Sequence, residues 1–303
     1  VRNLHFFAHR PHIIVSFAPI LKQNEMHIIS KKADLADYLK QCRADGKTIG
    51  FVPTMGALHE GHLSLVQRSL SECDVTVVSV FVNPTQFNDK NDLQNYPRCV
   101  DKDCALLESV GCNAVFTPSV EEMYPEPDTR VFSFDGIDKV MEGEHRPGHF
   151  NGVAQVVSKL FDIVQPDKAF FGMKDFQQVA IIKNMVRQLG LKVQIVPCPI
   201  IREDDGLAKS SRNMLLTPEH RAAAPAIHKA LFEATTMKED MKPDQLCEWI
   251  TKTIDATGLL QTEYVQIVDF DTLMPISEFD GHHAIACIAV WAGKVRLIDN
   301  IEF

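Results

Sequence analysis

Two histidines three residues apart, in the stretch Phe51-Val-Pro-Thr-Met-Gly-Ala-Leu-His-Glu-Gly-His62, are the side chains of this sequence best suited to handling phosphate. They stand where a strand-like run, Thr48 to Val52, hands over to a helical one marked by Leu63, Val66 and Leu70. In open α/β sheets ligands bind outside the carboxyl ends of the strands. A helix mouth there offers free N–H groups and the positive end of its dipole to an anion. Gly56 and Gly61 remove side chains where backbone must come close to a ligand. His59 and His62 share one face of the first turn. Both imidazoles can therefore donate to phosphate oxygens and stabilise the charge that builds when a nucleotide's α-phosphate is attacked. On the residues alone two other readings stay open. One is a metal pair, for which no third ligand stands at motif spacing; the other is a capping turn with incidental histidines.

A second stretch, Asp204-Asp-Gly-Leu-Ala-Lys-Ser-Ser-Arg-Asn213, has no core-forming period. Ser210 and Ser211 offer hydroxyls, and Lys209 and Arg212 offer cationic donors, each charge-assisted bond contributing about 1.5–3 kcal/mol. The run suits a mobile clamp on a triphosphate; read alone, it is also an ordinary solvated loop.

The elements that must carry these groups alternate. Asp34 to Arg43 is helical, and Thr48–Val52 is a strand ending at Pro53. A strand runs from Val75 to Val82, a helix from Arg98 to Val110, and a strand from Asn113 to Thr117. Val153–Val164 reads as a helix, Lys168–Phe171 as a buried strand, Gln177–Leu189 as a helix and Val193–Ile200 as a strand. Strands separated by helices of this length predict an α/β fold, a Rossmann-like parallel sheet with helices on both faces. After Arg202 the texture changes. Helical runs at Pro218–Ala234 and Asp244–Ala256 precede strands at Glu263–Val268, Ala284–Trp291 and Lys294–Ile298, the last two joined by a hairpin at Ala292-Gly293. The expected division is a Rossmann-like domain over 26–200 and a smaller C-terminal α+β lid domain over 201–303.

With 303 residues, 45% hydrophobic and 23% charged, the chain can bury a sizeable core. A formal net charge of −9 argues against a primary nucleic-acid binder, and no apolar run approaches a membrane span. Eight scattered cysteines without a C-x-x-C pair read as free thiols of a cytoplasmic protein. Val1–Glu25 has Arg2 and Arg10 and no acid before Glu25, a faint transit-peptide trait, but no signal-peptide core. We read residues 1–25 as a poorly ordered upstream extension, with Met26 as the functional start.

The order of H-x-G-H followed far along by Lys-Ser-Ser-Arg is the signature pair of class I adenylate-forming nucleotidyl transferases. Three stretches between them sharpen the resemblance: Phe81-Val-Asn-Pro-Thr-Gln-Phe87, Arg146-Pro-Gly-His-Phe-Asn-Gly-Val153 and Phe171-Gly-Met-Lys-Asp-Phe-Gln-Gln178. Together the five motifs resemble the pantothenate synthetase (pantoate–β-alanine ligase) family from about Met26 to the C-terminus, more weakly after residue 215.

The resemblance implies an ATP-dependent condensation of pantoate with β-alanine through a pantoyl-adenylate. ATP would lie along Met55, Gly56, Ala57, Leu58, His59, Glu60, Gly61 and His62. Gly172, Met173, Lys174, Asp175, Ile201, Lys209, Ser210, Ser211 and Arg212 would surround its base, ribose and phosphates. His62 takes the family's general-acid position, with His59 and Lys174 beside it in catalysis. Gln86 and Gln178 would hold pantoate with Asn83 nearby, and Gln86 would border the β-alanine site. Amides can satisfy pantoate's hydroxyls and carboxylate without adding charge. Mg²⁺ would arrive on ATP, held by phosphates and water, with no protein ligand set. The family also implies a homodimer through the larger domain. The chain departs from the family at Met173, often Glu there, at Thr85, commonly Met or Leu, and at Lys209, frequently apolar. Gln177 reads as a solvent-facing position, and His149 as structural or functional alike. The rival readings are a related nucleotidyl transferase acting on another small acid or phosphate, a tRNA synthetase fragment, and a non-catalytic nucleotide sensor.

Overall fold

A computed structural model describes residues 25–87 and 90–303. The extension expected over residues 1–25 lies, apart from Glu25, outside the described residues. Six strands form one sheet: β1 (His27–Ile29), β2 (Ile49–Thr54), β3 (Val75–Val80), β4 (Ala114–Phe116), β5 (Lys168–Gly172) and β6 (Gln194–Cys198). Their spatial order is β1-β4-β3-β2-β5-β6, and every pairing is parallel.

All six residues of β3 are buried, which is why Val75–Val80 carries valine on both faces rather than alternating, with Thr76 and Ser79 as small buried polar residues. Helices cover both faces. Leu35, Leu39, Val153, Val157, Ile181 and Ile182 pack on one side with Phe51 and Phe116. Leu65, Val66, Cys104 and Leu107 pack on the other with Val52, Val78 and Phe170. A small second sheet, antiparallel, comprises β7 (Leu260–Asp269), β8 (Ala284–Ala292) and β9 (Val295–Glu302). Helices Ala226–Thr235 and Pro243–Asp255 bury Ile227, Leu231, Leu246 and Ile250 against one of its faces. Its other face meets the first body through Met141, Phe176, Val268 and Ile285.

Three details differ from the sequence reading. Strand β1 carries no recognisable pattern, because it is three residues long and both His27 and Ile28 are exposed. The helical run expected over Pro218–Ala234 is two helices, Pro218–Ala223 and Ala226–Thr235, broken at Pro225, which lacks the N–H that a continuous helix needs. Gln177 does not face solvent. It is buried and donates to the carbonyls of Ile137 (2.7 Å) and Val140 (2.8 Å) while accepting from the Glu142 N–H.

Candidate active site

Strand order reverses between β2 and β5: chain direction leads outward through β3 on one side and through β6 on the other. A crevice opens at such a switch point. Its walls are the turns that leave β2 and β5, and together with neighbouring segments they enclose a cleft of about 210 Å³.

The β2 turn is held from beneath. Asp103, 2% exposed on the helix Val100–Ser109, accepts the N–H of Ala57 (3.0 Å) and of Leu58 (2.8 Å). Gly56 adopts φ +81°, and a Cβ there would come within 2.9 Å of that carboxylate, so the turn has room for glycine alone. His59 then caps the helix Glu60–Glu72, its Nδ1 accepting from the Gly61 N–H at 3.1 Å. The Nδ1 of His62 reaches back to the His59 N–H at 3.4 Å, and the two ring centroids lie 4.2 Å apart.

This reciprocal cap decides the chemistry of both rings. Each Nδ1 faces a backbone donor, so each ring carries its proton on Nε2, the nitrogen left for the cleft. Burial first, then the charges of Lys174 and Lys209, bring the His59 pKa down to about 4. Burial, followed by His59 and Lys174, brings His62 to about 3. At neutral pH the pair is therefore two uncharged N–H donors.

On the β5 side, Lys174 and Asp175 occupy the turn after Gly172, and neither side chain has a hydrogen bond or ion pair among the described residues. The turn itself is fixed from the small sheet: Asn300 donates to the carbonyls of Met173 (2.8 Å) and Lys174 (3.1 Å). Gln178 follows on the helix Phe176–Leu189 and lines the cleft.

Gln86 approaches from the opposite end, on the turn Pro84–Gln86, its Nε2 2.8 Å from the Met55 sulfur. That turn lies directly on the helix His149–Val164, where a Cβ on Gly152 would be 2.4 Å from the Thr85 carbonyl oxygen. Asn83 is buried and fully occupied. It accepts from Tyr124 Oη (2.8 Å) and donates to Thr85 Oγ1, Gln86 Oε1 and the Gly152 carbonyl. It holds Gln86 and itself borders the cleft. Between Gln86 and Gln178 the wall is apolar, built from Val153, Val156, Val157 and Leu160 with Phe81 and Phe171.

The Lys209–Arg212 segment closes the third side. A small hairpin pairs Arg202 with Ala208, and Arg202 is held to Asp299 by two bonds of 2.7 and 3.0 Å. Lys209 leaves this hairpin and lies between two carboxylates, Glu60 at the helix mouth and Glu203 at 3.1 Å. Ser210 caps a short turn by accepting from the Arg212 N–H, Ser211 is buried, and the Arg212 guanidinium stands 6.0 Å from the Tyr96 ring centroid.

His62 and Ser211 thus meet in one cleft, as do Met55, His59, Gly61, Asn83, Gln86, Gly172, Lys174, Asp175, Gln178, Ile201, Lys209, Ser210 and Arg212. Gly56, Ala57, Leu58, Glu60 and Met173 do not line it. Leu58 is buried in the core, Glu60 turns outward to Lys209, and Met173 lends its carbonyl to Asn300. Asp103, Asn300 and the valine wall are contributors that the motifs do not announce. Asp103 had one signal, an acid on the buried face of a helix beside Cys104 and Leu107.

A profile described as pantoate-beta-alanine ligase matches residues 27–302. The chain is 57% identical to pantothenate synthetase from Porphyromonas gingivalis strain W83, over 92% of this chain and 99% of that protein. It is 56% identical to the one from Bacteroides thetaiotaomicron, with the same coverage. Among solved structures, pantothenate synthetase from Thermus thermophilus superposes with a TM-score of 0.86 at 42% identity, covering 91% of this chain and 99% of that one. Pantoate-beta-alanine ligase from Francisella tularensis, complexed with beta-gamma ATP and beta-alanine, gives 0.78 at 36% identity, over 91% and 97%.

Proposed function

We propose that this chain, which belongs to the pantoate–β-alanine ligase family, activates pantoate as pantoyl-adenylate in the cleft of His59, His62 and Lys174 and passes the acyl group to β-alanine. The observation that carries this is convergence. A neutral imidazole pair, cationic and amide side chains and a serine-rich segment from four separate stretches of sequence line one cleft.

In the first step a pantoate carboxylate oxygen attacks the α-phosphorus and pyrophosphate leaves. The Nε2–H groups of His59 and His62 donate to the phosphoryl oxygens as their charge grows, and Lys174 neutralises it as a point charge. A low pKa is no obstacle here, because a neutral donor needs no proton transfer. Binding of the triphosphate raises both values and moves His62 toward the general-acid role. Gln178 and Gln86 hold the acid's polar groups, and the valine wall suits the branched carbons of pantoate. In the second step the neutral amine attacks the acyl carbon, the C–N bond forms, AMP departs with the electrons of the C–O bond, and the proton lost by the nitrogen passes to the departing phosphate or to water. No covalent enzyme intermediate is required. Burial pushes the Cys198 thiol up to about 11, in keeping with inert cysteines.

Mg²⁺ would enter on ATP and supply further neutralisation of the phosphates. Among the described residues no three His, Cys, Asp or Glu side chains cluster as a metal site. We read Lys209–Arg212 as a lid over the phosphates, on the support of its attachment through ion pairs that can be exchanged. ATP should protect this segment from proteolysis; unchanged cleavage counts against a lid. The division near residue 200, a homodimer joined through the larger body and a cytoplasmic location complete the proposal. Limited proteolysis, sedimentation and cell fractionation test these in turn. Among the described residues no helix is long and apolar enough to cross a membrane.

Incubation with ATP, Mg²⁺, D-pantoate and β-alanine, omitting each in turn, tests the whole reading. AMP should need all four, and pyrophosphate release should need only the first three. AMP formation without pantoate would overturn the assignment.

A further inference from the structure

Tyr124 does not line the cleft and takes no part in the reaction just described, yet its hydroxyl begins a chain of polar side chains that ends in the acid pocket. It follows the short helix Val120–Met123, beyond β4. Its Oη donates to Asn83 Oδ1 at 2.8 Å, and Asn83 Nδ2 donates to Gln86 Oε1 at 3.2 Å. Gln86 Nε2 then stands 2.8 Å from the Met55 sulfur at the cleft wall. Both amides are buried, so a lost link is not simply replaced by solvent.

Backbone groups define the direction of this chain. The Thr85 N–H can only donate and lies 3.4 Å from Asn83 Oδ1, while the Gly152 carbonyl can only accept and lies 3.3 Å from Nδ2. The Asn83 amide therefore has one orientation, with its oxygen toward Tyr124 and its nitrogen toward Gln86. Gln86 must turn its own oxygen inward to Asn83 and its NH₂ group outward. A thioether is a weak acceptor, so the contact with Met55 leaves that NH₂ group able to donate to the oxygens of an acid.

Those backbone contacts are long, and the Tyr124 bond is the shortest that the Asn83 side chain makes among the described residues. The phenol is itself held. The Lys159 ammonium stands 5.3 Å from its ring centroid, where an aromatic face attracts a cation, and the buried carboxylate of Asp128 lies 3.4 Å from that ammonium. The ring of Phe81, which lines the cleft, has its centroid 6.3 Å from that of Tyr124. Burial raises the phenol's pKa, so the hydroxyl keeps its proton and stays a donor.

The structure assigns Tyr124 as a positioning residue of the acid pocket: through Asn83 it keeps Gln86 presenting N–H donors, so that this end of the pocket selects an acceptor oxygen of the acid. This rests on the reading above that Gln86 holds pantoate. Without the hydroxyl, Asn83 keeps only its longer contacts and the Gln86 amide is free to reverse. A reversed amide turns a carbonyl oxygen toward the oxygens of the acid, and the two repel.

Pantoate-dependent exchange of pyrophosphate into ATP reports the first step alone. In Tyr124→Phe we expect the KM for pantoate to rise about three- to tenfold, the scale of one neutral hydrogen bond, with the KM for ATP within about twofold of the unmodified enzyme. A residue that merely shapes the fold would move both constants together. A double-mutant cycle gives the sharper readout. Because Tyr124 acts through Gln86, removing its hydroxyl in the Gln86→Ala background should alter the KM for pantoate by less than about 1.5-fold.

An unchanged KM for pantoate in Tyr124→Phe would overturn the proposal. So would a rise of equal size in the Gln86→Ala background, which would give Tyr124 a route to the pocket other than this amide, or a parallel rise in the KM for ATP. Should Tyr124→Phe not fold, Asn83→Asp decides, because its carboxylate still accepts from Tyr124 but cannot donate to Gln86. A raised KM for pantoate there, absent from the Gln86→Ala background, supports the relay, and an unchanged KM refutes it. If Gln86→Ala by itself leaves the KM for pantoate unchanged, the reading of the acid pocket has failed and the proposal falls with it. That result comes from the Gln86 variant alone and is distinct from every outcome above.

Discussion

The helix mouth at His59–His62 and the Lys209–Arg212 segment face each other across one cleft, but they are held in place by different forces. The first is fixed by buried hydrogen bonds. Asp103 grips the preceding turn from the core, and the two imidazoles cap the helix through their own backbone. The second is held at its leading residue by ion pairs at the surface, where Glu60 is 71% exposed. Buried hydrogen bonds to a charged group are costly to break, whereas exposed ion pairs are weak and screened by salt. On the proposed mechanism, the side that stabilises developing charge is therefore preorganised, and the side that admits the triphosphate can rearrange at little cost.

The largest effect should come from the rigid side. His62→Ala or Lys174→Ala is expected to lower the adenylation rate by at least about 10²-fold, the scale of one lost transition-state donor. Single-turnover release of pyrophosphate measures it, and near-normal rates would remove these residues from the chemistry. Asp103→Ala should come next. It leaves two backbone N–H groups without their acceptor, at about 2–4 kcal/mol of stability by urea unfolding. The KM for ATP should rise with it; a normal midpoint would mean that the turn supports itself.

A pH experiment tests the same preorganisation. The pKa values of His59 and His149 lie at about 4 and that of His62 at about 3, all below the ordinary value near 6.5. Between those limits the unfolded chain binds protons that the native protein refuses. The native state therefore loses stability as pH falls from about 6.5 towards 4, and none of this loss operates above that range. The urea midpoint should drop between pH 7 and pH 5, and His62→Gln should show a smaller drop. Equal drops in both proteins would mean that His62 is not held neutral.

The adjustable side should give the smallest response. Glu60→Gln releases Lys209 from one of its carboxylates, so ATP should bind slightly better. The KM should fall by no more than about fivefold and become less sensitive to salt. A larger change would show that this contact is not the weak one its exposure implies.

Most of the sheet and the convergence of its loops were legible in the sequence, for a physical reason. Fully buried parallel strands such as Val75–Val80 carry valine on both faces, and the helices between them repeat leucine and valine at helical spacing. The residues proposed to face phosphate were legible because a helix mouth, glycine and imidazole together have few other uses. What stayed hidden depends on partners far away in sequence. Asp103 looks like any acid in a first turn until its carboxylate is seen beneath Ala57 and Leu58. Gln177 is polar and would suit solvent; only the carbonyls of Ile137 and Val140 explain its burial. The valines facing the acid pocket differ in no local respect from those that pack the core.

The bonds from Asn300 to the carbonyls of Met173 and Lys174 have a consequence for how the enzyme comes into being. A ribosome makes the lysine turn well before it makes the asparagine that steadies it. At about 5–20 residues per second the interval is on the order of ten seconds. For the later part of that time a nascent chain carries every histidine, lysine and glutamine of the proposed nucleotide cleft without the support that aligns one wall of it. Competence should therefore arrive late and abruptly, with the closing strand, rather than grow as the parallel sheet is assembled.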